Sequence, residues 1–226
     1  MNRLFVLFVF CASHVFSYTA KDVDALKKTV SSNLPSLEGW CSHEKAMSFI
    51  DLVLEVRPKV CVELGVFGGR SLYPVAAALK LLNQGLLIAV DPWDQLESIK
   101  YYDPEKDLDH IRWWSKLNMD FIYSSYCYLL KFHGLEEYVE TLRQTSQEAA
   151  MAIDEEIDIL HIDGNHSRAV SLFDVQNYLP KVRSGGYIWF TDALWESRAE
   201  AVDFISEECD FVRSIDKSNC ILFRKR

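Results

Sequence analysis

The run from Val60 to Ser71, Val-Cys-Val-Glu-Leu-Gly-Val-Phe-Gly-Gly-Arg-Ser, constrains this chain more than any other stretch. Its β-branched start favours a strand, its glycines a turn, and the Leu/Ala-rich residues that follow favour a helix. Strand, tight turn and helix in that order make the corner of a parallel α/β sheet, where ligands sit outside the carboxyl ends of the strands. Glycines let backbone approach such a ligand, and the helix N-terminus offers it unpaired N–H groups. Gly65, Gly68 and Gly69 do not form G-x-G-x-x-G, so the dinucleotide fingerprint is missing. Glu63, two residues before the first glycine, suits a ligand with a cationic end. The corner therefore reads as a nucleoside-cofactor site other than one for NAD.

Short apolar runs elsewhere extend the sheet. Val60–Leu64, Leu86–Val90, Val139–Leu142, Ile157–Ile162 and Tyr187–Thr191 read as strands. Helical stretches at Ser71–Leu82, Ser146–Ile153, Arg168–Tyr178 and Glu196–Glu207 alternate with them, and Gly185-Gly186 reads as the turn into the fifth strand. Phe211–Ile215 and Cys220–Phe223 are separated by a polar turn too short for a crossover helix, which predicts an antiparallel hairpin. The expected architecture is one α/β domain over 57–226, with a mostly parallel seven-stranded sheet closed by that hairpin. A helical lead-in over 18–56 precedes it: a polar helix at Lys21–Asn33, then Ser42–Val56 with Ala46, Phe49, Ile50, Val53 and Leu54 at helical spacing. The segment 93–133 has no strand pattern and carries Trp93, Tyr102, Trp113, Trp114, Tyr123 and Tyr126. It reads as a helical insertion over the strand ends, either a lid for a flat substrate or an aromatic layer on the sheet.

The 226 residues carry a net charge of −9, which argues against a nucleic-acid binder. Met1-Asn2-Arg3 followed by an unbroken apolar run from Leu4 to Ala12 has a signal-peptide pattern, with a cleavage point after Ser17. The run is too short for a stable membrane span. Without Cys11, five cysteines remain at irregular spacing, and Cys61 and Cys220 fall within strands. Buried thiols are expected instead of a disulfide framework, and the lack of C-x-x-C leaves no zinc or dithiol motif. The leader suggests export and the thiols suggest the cytoplasm.

Acids recur at the strand ends. Asp91 closes the second strand, where a carboxylate accepts bonds from ribose hydroxyls. Asp163 and Asp192 close strands expected to be neighbours, with backbones roughly 5 Å apart. Two such carboxylates repel unless a proton or cation lies between them, and a divalent ion such as Mg²⁺ would satisfy both. His166, three residues after Asp163, could reach the same pocket as base or ligand. His161 lies within its strand and reads as a core histidine. Gln144, Thr145 and Ser146 follow the third strand, beside a nucleoside base or as ordinary helix caps.

In this order, Glu63-Leu64-Gly65 with Gly69 and Ser71, Asp91, Ile162-Asp163-Gly164-Asn165-His166 with Asp174, and Gly185-Gly186 before Asp192 resemble the class I S-adenosylmethionine-dependent methyltransferases. The closest likeness is to the cephalosporin-hydroxylase-like and macrocin O-methyltransferase-like group. The resemblance implies a Rossmann-like methyltransferase fold and S-adenosyl-L-methionine held by Glu63, Gly65, Gly69, Ser71, Asp91, Ser146 and Asp163. It implies catalysis by Asp163 and His166 on a small hydroxylated acceptor, and Mg²⁺ at Asp163 and Asp192. One departure is Ala193, where metal-dependent relatives carry Asn or Asp after the fifth-strand acid. A non-catalytic cofactor-binding module and another nucleotide-binding α/β enzyme are the alternatives, and a homo-oligomer is left open.

Overall fold

The structure is a computed structural model that describes residues 18–217 and 219–226. The expected leader, 1–17, lies outside the described residues. Two helices lead in: α1 (Ala20–Asn33), started by a capping box between Thr19 and Asp22, and α2 (His43–Val56), capped by Ser42 and ended by Arg57 in the left-handed region. Then follow β1 (Val60–Leu64), α3 (Leu72–Leu82) and β2 (Leu86–Val90). The insertion is helical, as expected: α4 (Gln95–Ile99), α5 (Leu108–Trp114) and α6 (Met119–His133). After it come β3 (Val139–Leu142), α7 (Ser146–Ala152), β4 (Ile157–Ile162), α8 (Arg168–Tyr178), β5 (Val182–Thr191) and α9 (Ala199–Glu208). The chain closes with β6 (Cys209–Ile215) and β7 (Cys220–Lys225).

All seven strands form one sheet in the order β3-β2-β1-β4-β5-β7-β6. The first five are parallel, and β7 runs antiparallel between β5 and β6. One boundary differs from the sequence reading. Gly185-Gly186 is not a turn ahead of β5 but lies within it, at an irregularity between the Ile157–Val182 and Ile159–Tyr187 pairs. Gly185 has φ +74°, and a Cβ on Gly186 would stand 2.7 Å from the Val182 side chain, so the strand bulges there and continues.

Strand alternation sorts the core into two layers. Val62, Leu64, Leu160, Ile162, Ile188 and Phe190 pack under α7, α8 and α9. Cys61, Ile159 and Trp189 face α2 and α3 on the other side. Period two then puts Glu63, His161 and Thr191 on that second face, at the carboxyl ends of β1, β4 and β5. The buried residues of α2 include Ala46, Phe49, Ile50 and Val53, and also Lys45. A polar band on the sheet thus meets one buried ammonium on the helix above it. The five described cysteines are free thiols, four of them buried, as the irregular spacing predicts. No helix among the described residues is long and apolar enough to cross a membrane.

Candidate active site

The glycine corner is built on close backbone contact. Gly65 has φ +85°, and a Cβ there would lie 2.3 Å from the carbonyl oxygen of Asp163. Only glycine lets the end of β1 lie against the end of β4. Past it, Phe67 takes φ +52°, an uncommon value for an aromatic residue. Asp91 holds this turn in place: its Oδ2 accepts the backbone N–H groups of Val66 and Phe67, each at 2.9 Å, and its Oδ1 accepts that of Trp93 at 2.7 Å. The Trp93 indole N–H donates to the Phe67 carbonyl at 2.8 Å and locks the loop from the far side. Burial pushes the Asp91 carboxyl above its usual range, and the three amides oppose that. Asp91 borders the cavity, yet its first task in this structure is to fix the loop.

Glu63 and Gly69 lie behind the cavity wall and do not border it. Glu63 is buried, and its Oε1 accepts the Ser71 hydroxyl at 2.5 Å. Gly69 has φ +86°, and a Cβ there would press on the side chains of Tyr126 and Leu129 of α6 at 3.1 and 3.3 Å. It is a packing glycine that seats the insertion on the corner. Gly65, Ser71, Asp91, Ser146 and Asp163 do line the cavity, whose volume is about 540 Å³. Thr145 caps α7 through a capping box with Glu148, so the capping account of this segment holds alongside its place in the wall.

The opposite wall brings together Asp163, His166 and Asp192. His166 Nε2 lies 3.6 Å from Asp163 Oδ1 and 3.5 Å from Asp192 Oδ2. One ligand atom from each of the three falls within 4.8 Å of the others, a spacing a metal ion could bridge. Two cations that sequence reasoning missed stand beside them. Lys45 reaches down from α2 to place Nζ 3.1 Å from Asp163 Oδ2 and 2.7 Å from Thr191 Oγ1. Arg198, on the 3₁₀ turn ahead of α9, is fully buried, donates to the Ile162 carbonyl at 3.3 Å and lies over the Phe190 ring. Burial alone would raise the Asp163 carboxyl, but Lys45 and the two histidines hold it well below the usual carboxylate range. Burial and the Arg198 charge push His166 down, against the pull of Asp163 and Asp192, so its imidazole is neutral near pH 7. Asp192, at φ +52°, also accepts the Asn219 amide at 2.6 Å from the β6–β7 turn.

A chain of buried polar contacts joins the two walls. From Lys45 it passes to Thr191, then to His161 Nε2 at 3.0 Å, then from His161 Nδ1 to Glu63 Oε1 at 3.4 Å, and so to Ser71. His161 is a core histidine, as read, and it is a link in this chain. Aromatic residues border the mouth. Trp40 packs on Phe67 and Trp113 with ring centres 5.1 and 5.3 Å apart, and Trp195 stands edge-on to His166 at 4.9 Å. The insertion lies partly on the sheet and partly at the cavity: Trp93 and Tyr126 are buried in the core, while Trp113 and Trp114 border the cavity. Asn165 ties it down by donating to the carbonyls of Glu97 and Lys100, and the Tyr102 hydroxyl accepts the His166 N–H at 2.9 Å.

Comparison with known proteins follows the same outline. A family model described as "Methyltransferase domain" matches residues 62–193, from β1 through the acid that ends β5. The chain belongs to that family. Family and fold together make it a class I S-adenosylmethionine-dependent methyltransferase. Solved structures share the methyltransferase's architecture at low identity. The O-methyltransferase NovP superimposes with a TM-score of 0.69 at 14% identity, over 91% of this chain and 98% of its own. Cofactor-bound Rv0187 from MTB gives 0.62 at 13%, over 92% and 98%. The SAH-bound methyltransferase PaMTH1 of Podospora anserina gives 0.60 at 11%, over the full length of both. No curated protein sequence matches this methyltransferase.

Proposed function

We propose that this methyltransferase transfers the methyl group of S-adenosyl-L-methionine to the oxygen of a small hydroxylated molecule, within the macrocin O-methyltransferase-like group. The observation that carries this reading is one cavity bounded on one side by the glycine corner and on the other by Asp163, His166 and Asp192. The corner suits the cofactor: Gly65 lets the ends of β1 and β4 close against each other at the cavity wall, and Ser71 lines the cavity at the start of α3. Gly65, Ser71, Asp91, Ser146 and Asp163 would hold it, with Glu63 and Gly69 supporting from behind. When bound, the cofactor supplies an electrophilic methyl group for in-line displacement, so the protein's main work is alignment.

The acceptor hydroxyl must lose a proton as it reacts. His166 is neutral and lines the cavity beside Asp163 and Asp192, and we assign it as the base. Asp163 is held ionised, so it stabilises the imidazolium formed without competing for the proton. The aromatic mouth offers apolar surfaces to the acceptor. Calorimetric titration with S-adenosylmethionine tests the first half, and no heat of binding by the wild-type chain would sink it. His166→Ala and Asp163→Asn, assayed on a panel of hydroxylated acceptors, test the second. Loss of turnover with cofactor affinity retained in His166→Ala is expected, and undiminished turnover in both variants would remove them from the mechanism.

A further inference from the structure

Two carboxylates at neighbouring strand ends call for a cation, and the sequence suggests a divalent ion. The folded chain meets that need from its own residues. We propose that the ammonium of Lys45 is the resident cation of the reaction centre, and that this methyltransferase works with no metal ion between Asp163 and Asp192. The proposal rests on the reading of this cavity as a methyl-transfer site.

Four observations carry it. Lys45 Nζ is only 3.1 Å from Asp163 Oδ2, on a side chain that is 3% exposed. It is not a loose arm, because Thr191 fixes it at 2.7 Å and is itself held by His161. Second, Arg198 adds another fully buried positive charge that acts on both Asp163 and Asp192. Two buried cations therefore already act on the Asp163 and Asp192 pair before any ion arrives, Lys45 by direct contact and Arg198 from behind. A divalent ion entering there would have to overcome the repulsion of an ammonium and a guanidinium in a poorly screened site.

Third, half of the carboxylate oxygens are already engaged. Asp163 gives Oδ2 to Lys45 and Asp192 gives Oδ1 to the Asn219 amide, which leaves one oxygen on each, and the next residue, Ala193, has no ligand atom. Fourth, the remaining candidate ligand is an imidazole whose Nδ1 is buried without a hydrogen-bond partner. A metal-bound histidine is normally oriented through that second nitrogen, and Mg²⁺ prefers a shell of oxygens. The residues present do not suit a resident Mg²⁺. What they do suit is a fixed charge that holds Asp163 in place beside His166. In that role Lys45 keeps all its own protons, and the acceptor's proton passes to His166. Lys45 acts through Asp163 and is a positioning residue.

The test is a Mn²⁺ titration of the full chain saturated with S-adenosylhomocysteine, following the paramagnetic resonance signal of the free ion. The wild-type chain should leave the signal equal to the Mn²⁺ added, and so should Lys45→Arg, which keeps the charge. Lys45→Met, which leaves Asp163 without its partner, should take up one Mn²⁺ per chain and lose that uptake when Asp192→Asn is added. One Mn²⁺ bound per wild-type chain and lost in Asp192→Asn would overturn the proposal. So would a Lys45→Met chain that binds S-adenosylhomocysteine yet takes up no Mn²⁺. If Lys45→Met fails to fold, the wild-type titration decides alone. A wild-type chain that does not bind S-adenosylhomocysteine would instead strike the functional reading, since the Mn²⁺ measurement can be made without it.

Discussion

At the glycine corner, Asp91 bonds to backbone amides of Val66, Phe67 and Trp93, all within 25 residues of it. On the facing wall, Asp163 bonds to the ammonium of Lys45, 118 residues away. The corner is held by main-chain geometry and the floor by side-chain charge. Main-chain geometry tolerates almost no change in residue type where backbones touch. A charge cluster tolerates paired changes, because what matters is that no buried charge is left alone.

Changes at the two walls should therefore fail in different ways. The largest effect is expected for Gly65→Ala, whose Cβ would meet backbone atoms of Asp163 and Gly164 at 2.3 to 2.6 Å in a left-handed conformation. No side chain can move aside to relieve it, so the soluble, S-adenosylhomocysteine-binding form should be lost; a variant that binds normally in calorimetry would contradict this account of the corner. Next is Lys45→Met, which strands a buried carboxylate and should cost roughly 3–5 kcal/mol in urea unfolding at pH 7. Adding Asp163→Asn should recover part of that loss. If the double variant is worse than the single, the floor is not the charge cluster described here.

Asp91→Asn is smaller: it keeps the shape but sets its NH2 against a backbone N–H that a carboxylate oxygen accepted, so at least one charge-assisted bond, worth about 1.5–3 kcal/mol, is lost and the corner should loosen without the chain unfolding. Trp93 fluorescence and cofactor affinity would report it. Asp174 gives a pH-dependent effect. It is 1% exposed in the wall between the two regions, and burial raises its carboxyl to about 7, with Ser146 and Arg198 pulling the other way. Between its unfolded and folded values the native chain binds more protons than the unfolded one, so stability falls as pH rises through that window. Asp174→Asn should accordingly raise the melting temperature relative to wild type more at pH 8 than at pH 4.5. The smallest change is Gly69→Ala, about 1 kcal/mol, since the atoms it would meet are side-chain tips of Tyr126 and Leu129 that can shift, though its φ of +86° keeps the cost above zero.

The same division explains what could be read from the sequence. The core of each strand, the order of helices and the closing hairpin were legible because they depend on local periodicity and on Pro, Gly and Asp at their ends. Asp163, His166 and Asp192 were legible as strand-end residues, since neighbouring parallel strands bring their ends together. Lys45 was not, because a lysine on an amphipathic helix is ordinarily solvated. Its signal was its position one turn before Phe49 on the apolar face, above strands whose ends are Glu63, His161 and Thr191. Arg198 carried less, being an arginine in a polar stretch whose burial depends on α8 and β5 closing around it. Gly185-Gly186 misled because a bulge and a turn use the same residues for the same reason.

Asn165 has a consequence on a slower clock. Its side-chain amide donates to the carbonyls of Glu97 and Lys100 and so fastens the insertion over the cavity. Hydrolysis of that one amide to a carboxylate would turn a donor into an acceptor facing two carbonyl oxygens, and the fastening would become a repulsion. A single deamidation at this position would therefore loosen the cover of the cavity. Ageing of the purified protein, followed as a gain of one negative charge at residue 165, should open the mouth while the methyl-transfer residues remain chemically intact.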